Sequence, residues 1–589
     1  MSISPQMYGR YCSLFDTLPI DENLCFFESH NSTDLAGNML AIARELSDEI
    51  RFPYLQIVIS CTVESEARIR TLIERYHICA KLVYRESDGY LSTLASAQFL
   101  FTDVAYWPLY RKKPGQVCIT TWHGTPLKTL GFTYNADSYV VANQKRGFCL
   151  SDYFVCPNEY TWNCIRKSYQ LDSLFHGTVL YSGYPRNSVF FDIGRRGSIR
   201  QELGNEKKII VYMPTWRGKV TEVKGKDQSL ELQDYLDELD ALLPDDTVFI
   251  TKLHRLNDAE LDYSSFRHII RFPSDYETYD ILNAADCLVT DYSSVMFDYL
   301  NTGKKIVLFC YDCEDYIQNR TCYFDIWKLP FPIVETVHEL ASELSTAKKY
   351  DDNEVKAMFC SYDGLLSTEK LVRHIFGGRS SVQTENCKNH KQKKALLYTG
   401  DLAASYETDA LFLFISNSKK QFYITYMNHL FLKSPYKLLQ FGNMNQMPMY
   451  MYDKRYAYYT PQDESTVKKI KSAILASKPI SPEWLAIMDE IYRRDYVRYM
   501  YQNRFDCFVR YNGLDLESLK WFAVFGGKKI LYVHTSMIKK SRINLEYRFF
   551  LSRAMMAADE VHFANRNVYS DMKVLYEGKI RKVYIENLY

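Results

Sequence analysis

The chain carries two histidines where a proton could be moved. His123 lies in Thr121-Trp122-His123-Gly124-Thr125-Pro126-Leu127-Lys128, a loop-like stretch directly after the apolar run 117–121. His254 closes Lys252-Leu253-His254, at the end of the run 247–252. Imidazole is the side chain best suited to take a proton from an alcohol near neutral pH. Spacing alone fits equally well a Trp122–His123 pair that plugs an interface between lobes. Arg217 ends Tyr212-Met213-Pro214-Thr215-Trp216-Arg217, again just past an apolar run, and arginine recognises phosphate through two parallel bonds. Thr290-Asp291-Tyr292-Ser293-Ser294 opens the amphipathic stretch 295–300. Free backbone N–H groups at a helix start, beside hydroxyls, form a phosphate site, and the same residue types serve as plain N-caps. Histidines and cations at successive run ends suit group transfer at phosphate. Walker, G-x-G-x-x-G and H-E-x-x-H patterns are absent. The 12 histidines are not spaced as metal ligands, so no metal is expected.

These residues need elements to hold them. Short apolar runs at 24–28, 55–60, 80–84, 98–102 and 117–121 alternate with amphipathic stretches such as 38–48, the pattern of a mostly parallel α/β sheet. A second series follows at 208–213, 247–252, 269–272, 287–290 and 305–310. The candidate residues fall at the C-terminal ends of these strands, the edge where open α/β sheets bind ligands. The expected architecture is two Rossmann-like lobes, 1–185 and 186–376, facing one cleft with a hinge near 183–188. Residues 377–394 are polar, lack a hydrophobic period and are expected to be a linker. Strands at 395–400, 411–416, 422–426, 507–511, 529–534 and 560–563 then build a third α/β lobe, 395–589.

Composition narrows the class. A chain of 589 residues with 47% hydrophobic and 24% charged residues is an ordinary globular multidomain protein, not a disordered or coiled-coil one. Lys+Arg 72 against Asp+Glu 71 gives no argument for nucleic-acid binding. The 15 scattered cysteines fit a reducing cytoplasm better than a disulfide framework. The 48 tyrosines exceed what packing needs and suit polar grooves. The chain opens on a polar stretch rather than a signal peptide and contains no apolar run long enough to span a bilayer. The stretch 106–113 (YWPLYRKK) reads either as a solvated loop or as a contact with anionic lipid, worth about 1 kcal/mol per cation.

Five motifs stand in order: W-H-G-T-P-L-K at 122–128, G-Y-P-R-N at 183–187, P-T-W-R at 214–217, K-L-H at 252–254 and T-D-Y-S-S-V-M-F-D-Y at 290–299. Together they resemble the CDP-glycerol glycerophosphotransferase family, which includes teichoic-acid glycerol- and ribitol-phosphate polymerases and related capsule polymerases. The resemblance covers residues 24–376. It implies a GT-B fold with an acceptor-side first lobe and a CDP-donor-binding second lobe. It further implies transfer of a polyol phosphate, glycerol phosphate being favoured, from a CDP-activated donor to a growing teichoic-acid-like or capsular polymer, with release of CMP. CDP-glycerol or CDP-ribitol is then the substrate, and no further cofactor is expected. His123 falls on the base for the acceptor hydroxyl, and His254 on the group assisting at the donor pyrophosphate. Arg217, Lys252, Thr290, Asp291, Ser293 and Ser294 would hold the donor phosphates, while Gly124, Thr125 and Lys128 line the acceptor side. Arg255 stands where the family usually has proline, and 301–304 varies its pattern. Implied partners are a lipid-linked or oligosaccharide acceptor, an anionic membrane surface and other polymer-synthesis enzymes, which places the chain on the inner face of the membrane. A transferase of the same fold that uses CDP-ribitol or another activated phosphate, and a silent glycan-holding scaffold, are the alternatives. Residues 395–589 resemble the N-terminal lobe of a second GT-B glycosyltransferase, through 393–400, 505–513 and 530–537. A lone lobe implies no independent sugar transfer, and removal of 391–589 is expected to leave CMP release intact.

Overall fold

The computed structural model describes residues 5–134, 138–172, 174–203, 206–215, 225–253, 261–312, 321–377, 381–387, 393–398, 423–427, 444–446, 460–500, 504–511, 516–534, 544–575 and 580–586. Three sheets organise them.

The first sheet contains β1 (Asp21–Glu28), β2 (Gln56–Cys61), β3 (Ala80–Tyr84), β4 (Ala97–Thr102), β5 (Val117–Thr120), β6 (Tyr153–Cys156) and β7 (Thr178–Tyr181). The second contains β8 (Lys208–Met213), β9 (Thr247–Thr251), β10 (Ile269–Arg271), β11 (Cys287–Thr290), β12 (Lys305–Phe309) and β13 (Ile333–Val334). β14 (Gln383–Asn386) precedes the third sheet, made of β15 (Lys394–Tyr398), β16 (Tyr423–Met427), β17 (Met444–Gln446), β18 (Cys507–Arg510), β19 (Lys528–Val533), β20 (Glu560–Phe563) and β21 (Val583–Ile585). Runs such as Ile209, Ile210 and Val211 are buried on both faces, as strands covered by helices on two sides must be.

The spatial orders are β14-β7-β6-β5-β4-β1-β2-β3, then β10-β9-β8-β11-β12-β13, then β17-β16-β15-β18-β19-β20-β21. Each sheet starts in its middle, winds outward, and returns to the other side of its first strand. This is the doubly wound order, whose reversal points are β1/β4, β8/β11 and β15/β18. The fold is therefore the expected GT-B-like α/β pair followed by a third Rossmann-like lobe.

Two segments cross the expected boundaries. The helix Ser367–Gly377 returns from the second lobe and buries Leu371 and Val372 in the core of the first. Within the expected linker, β14 adds antiparallel to β7, pairing Gln383 with Tyr181 and Asn386 with Thr178. Its polar sequence is anchored by Glu385, which accepts bonds from Trp162 Nε1 (3.3 Å) and the Tyr181 hydroxyl (2.8 Å). β14 covers what would otherwise be an open edge on β7. The strand expected at 411–416 lies outside the described residues.

The stretch 106–113 is core, which corrects its reading as a solvated or lipid-facing segment. Tyr106, Trp107, Leu109, Tyr110, Arg111 and Lys112 are all buried. Arg146 donates to the carbonyls of Tyr110 (2.7 Å) and Trp107 (2.8 Å), and Lys112 Nζ pairs with Asp152 at 2.5 Å. The cations are consumed by loop carbonyls and one carboxylate. Among the described residues no helix is long and apolar enough to cross a membrane.

Candidate active site

The loop after β5 joins the two lobes. Trp122 packs with Phe148, Phe154 and Trp162 in the first lobe, whereas Leu127, five positions on, lies in the core of the second. Backbone bonds fasten the segment beyond: Tyr323 N to Leu127 O (2.9 Å), Thr129 N to Thr321 O (3.0 Å) and Leu130 N to the Tyr323 hydroxyl (3.0 Å). Lys128 faces Cys322 in a β-bridge, and its Nζ lies 3.4 Å from Thr215 Oγ1 at the end of β8. Trp122 has φ 55°, a left-handed conformation that a bulky residue adopts only when its surroundings impose it. Asn38 Nδ2 donates to Trp122 O (3.3 Å), and Arg186 Nη1 donates to His123 O (3.1 Å). Trp122 and Leu127 plug the interface. His123, between them, does not.

His123 is solvent-exposed, one residue before the point where Gly124 meets Ser294 of the second lobe. Its Nδ1 lies 3.4 Å from the carbonyl oxygen of Asp103, just past β4, and its ring lies 4.0 Å from that of Trp122, tilted by 33°. Desolvation by the protein packed around the ring lowers its pKa to about 4, against the opposing carboxylate of Asp103 and with help from the nearby His30 and Arg186 charges. Water at the ring softens that shift, and its direction leaves a neutral imidazole at physiological pH. Gly124 is buried and approaches the second lobe so closely that a Cβ would sit 2.5 Å from Ser294 Oγ. Thr125 is buried beside it. The loop therefore meets the first turn after β11 face to face.

In the second lobe, Thr290 and Asp291 are fully buried. The Thr290 hydroxyl donates to Met213 O (2.6 Å), and both Asp291 oxygens accept from Thr215 N (2.8 and 2.9 Å). These two side chains brace the β8 and β11 ends against each other at that sheet's reversal point. Ser293 and Ser294 are partly open to the cleft. The following helix, Val295–Tyr299, has five residues, and Ser294 makes no capping bond, so the expected cap is not formed. Lys252 is half-buried with its ammonium 5.0 Å from the Phe272 ring. Arg217 and His254 lie outside the described residues. Among the described residues no group of three or more His, Cys, Asp or Glu is arranged to hold a metal ion.

Behind the cleft lies a network that motif spacing does not reveal. Arg186 Nη2 pairs with Asp298 Oδ2 at 2.8 Å, both side chains under 10% exposed. Tyr279 donates to the same oxygen (2.8 Å), and Asn187 donates to Asp298 Oδ1 (3.1 Å) and Asp363 Oδ2 (2.8 Å). Asn301 and the Tyr184 amide also donate to Asp363, each at 2.8 Å. Burial nevertheless raises the Asp363 pKa to about 6, over the opposing bonds from Asn301 and Asn187. The G-Y-P-R-N segment and the end of T-D-Y-S-S-V-M-F-D-Y are thus two halves of one interlobe clamp. The only advance signal was Arg186 and Asp298 sitting inside ordered motifs.

Residues 11–377 match the family described as CDP-Glycerol:Poly(glycerophosphate) glycerophosphotransferase. The chain is 28% identical over 397 residues to a teichoic acid poly(glycerol phosphate) polymerase of Bacillus spizizenii, covering 64% of this chain and 98% of that protein. It is 33% identical over 307 residues to a poly(glycerol phosphate) polymerase of Staphylococcus epidermidis, covering 49% of this chain but 42% of that one. The solved wall teichoic acid polymerase TagF superposes with a TM-score of 0.53 at 26% identity, covering 63% of this chain and 94% of TagF.

Proposed function

The chain belongs to the CDP-glycerol:poly(glycerophosphate) glycerophosphotransferase family, and from that premise we propose that this transferase moves glycerol phosphate from CDP-glycerol to a hydroxyl of a growing teichoic-acid-like chain. The observation that carries the proposal is the water-accessible His123 beside the Gly124–Ser294 contact, its Nδ1 turned to the Asp103 carbonyl and its pKa pushed toward the neutral form. Nε2 then takes the acceptor's proton as the hydroxyl oxygen bonds to the glycerol-bearing phosphorus. The bridging P–O bond breaks, and its electron pair leaves with CMP. The first lobe holds the acceptor and the second the donor. Lys252, Ser293 and Ser294 contact the donor phosphates, joined by Arg217 and His254 on the strength of their family motifs. Thr290 and Asp291 act on the donor indirectly, by fixing the Thr215 backbone.

His123→Ala should lower turnover by roughly a hundred- to ten-thousand-fold, the usual worth of general-base catalysis, while leaving CDP-glycerol affinity near wild type. CMP release measured beside donor calorimetry decides it. Normal turnover in a folded variant removes the base from this loop. A panel of CDP-polyols separates glycerol from ribitol donors, since the chain is also 26% identical over 380 residues to a teichoic acid poly(ribitol-phosphate) polymerase of Bacillus spizizenii. If the folded protein releases no CMP from any of them, a glycan-holding scaffold replaces the transferase reading. Attachment to the inner face of a membrane belongs to the same proposal, with a contact other than residues 106–113. Salt-sensitive flotation with anionic liposomes tests it, and protein that stays at the bottom of the gradient refutes it.

A further inference from the structure

His30 takes no part in the transfer described above, yet it occupies the first lobe's reversal point. It follows β1, and Asp103 follows β4, the two neighbouring strands between which the sheet changes direction. Doubly wound sheets take ligands in the crevice at that point. His30 N donates to Asp103 Oδ1 (2.8 Å), and its Nδ1 lies 2.9 Å from Oδ2. The Ser29 hydroxyl, 3.2 Å from Nδ1, bonds to the same carboxylate. These contacts fix the ring by its Nδ1 edge and turn Nε2 away from the carboxylate, on a side chain 46% exposed. The backbone is held in the left-handed region over three residues without a glycine: His30 at φ 47°, Asn31 at 56° and Ser32 at 70°. Such conformations are costly outside glycine and persist where the surroundings enforce them.

Asp103 serves both histidines, His30 through its carboxylate and His123 through its carbonyl. The two rings follow β1 and β5, which flank β4, and both lean on the residue between them. Their surroundings push the two rings in opposite directions. Burial works against a charge on His30, but the Asp103 bond, with Asp34 and Glu277 in its field, raises its pKa. Those two carboxylates are themselves engaged: Asp34 by Arg68 (3.0 Å) and Glu277 by the Gly37 amide (2.8 Å). The first lobe thus sets two imidazoles on one residue, and the surroundings of His30 favour its protonated form, in which the ring edge away from Asp103 carries an N–H.

We propose that His30 is an acceptor subsite, its Nε2–H binding the phosphodiester next to the hydroxyl that His123 deprotonates. It rests on the transferase reading and adds a specificity: the chain prefers an acceptor that already ends in polyol phosphate over one that offers only a hydroxyl. The substrate class recognised is a phosphodiester monoanion.

The test compares a synthetic oligo(glycerol phosphate) with free glycerol as acceptors for CDP-glycerol. His30→Asn keeps a donor near the Nδ1 position for Asp103 and deletes the outward N–H. A hydrogen bond to a charged group is worth enough to expect a rise of about ten- to a hundredfold in KM for the oligomer. CDP-glycerol affinity should not change, and any loss in glycerol turnover should be small beside the rise in oligomer KM, since the His30 charge also bears on His123. Unchanged preference in His30→Asn overturns the proposal, as does an equal loss for both acceptors. If His30→Asn does not fold, the wild-type KM for the oligomer should rise with pH as His30 loses its proton while the KM for glycerol stays level; parallel profiles overturn it. Failure of the wild-type protein to release CMP with either acceptor would count against the transferase reading instead.

Discussion

The base proposed for the transfer must be neutral at the working pH, and the shift at His123, down to about 4, runs in that direction. For a histidine shifted down, the proton-accepting form persists well below the ordinary imidazole range near 6.5. The acid limb of kcat should therefore lie below pH 6. A limb at 6.5 or above, in a pH profile at constant ionic strength, would assign it to another group. Gly124 allows a second check. Alanine there would push on Ser294 Oγ, so Gly124→Ala should raise the KM for CDP-glycerol, and should do so less in a Ser294→Ala background. A double-mutant cycle measures that coupling. His123 was legible in sequence because Gly124 and Pro126 mark its loop and an apolar run marks the strand before it. Asp103 and His30 were not. They lie 73 positions apart and become partners only because β4 returns beside β1, a pairing that no local pattern encodes.

At the level of elements, the interlobe clamp concentrates stability in one buried pair. Removing one partner leaves an uncompensated charge, so Asp298→Ala should cost about 3–5 kcal/mol in chemical denaturation. Asp363 gives the same region a pH dependence. Its folded-state pKa of about 6 lies above that of an unfolded carboxyl, so the native state retains a proton that the unfolded chain has released. The resulting stabilisation is complete below about pH 4 and is lost as pH rises through 6. Melting temperatures should fall across that window, and Asp363→Asn should flatten the fall. Most strands were readable from their β-branched runs, and β3, β8, β11 and β20 match their expected bounds. β6 and β7 were missed because each lies between polar and helix-forming flanks and is completed by the neighbouring strands it pairs with. β14 was hidden because its stability comes from the open edge of β7, not from its own polar residues.

Across the whole molecule, the third lobe is less separable than a tether of polar residues suggested. Tyr11, Leu14, Tyr90 and Trp107 of the first lobe and Ile470, Met488, Trp521 and Phe550 of the third belong to one continuous apolar core. Ending the chain after residue 390 strips that shared core from the first lobe. The shortened protein should melt lower and bind a hydrophobic dye, and an unchanged melting curve would show that the two cores are independent. The fastening of Leu127, Thr129 and Leu130 to Thr321 and Tyr323 has a consequence for motion. The amide protons of Thr129, Leu130 and Tyr323 are hydrogen-bonded across this joint, so they are natural reporters of its opening. Their deuterium uptake should proceed at one common rate, slow together when CDP-glycerol bridges the lobes, and give the opening free energy of the enzyme without any label.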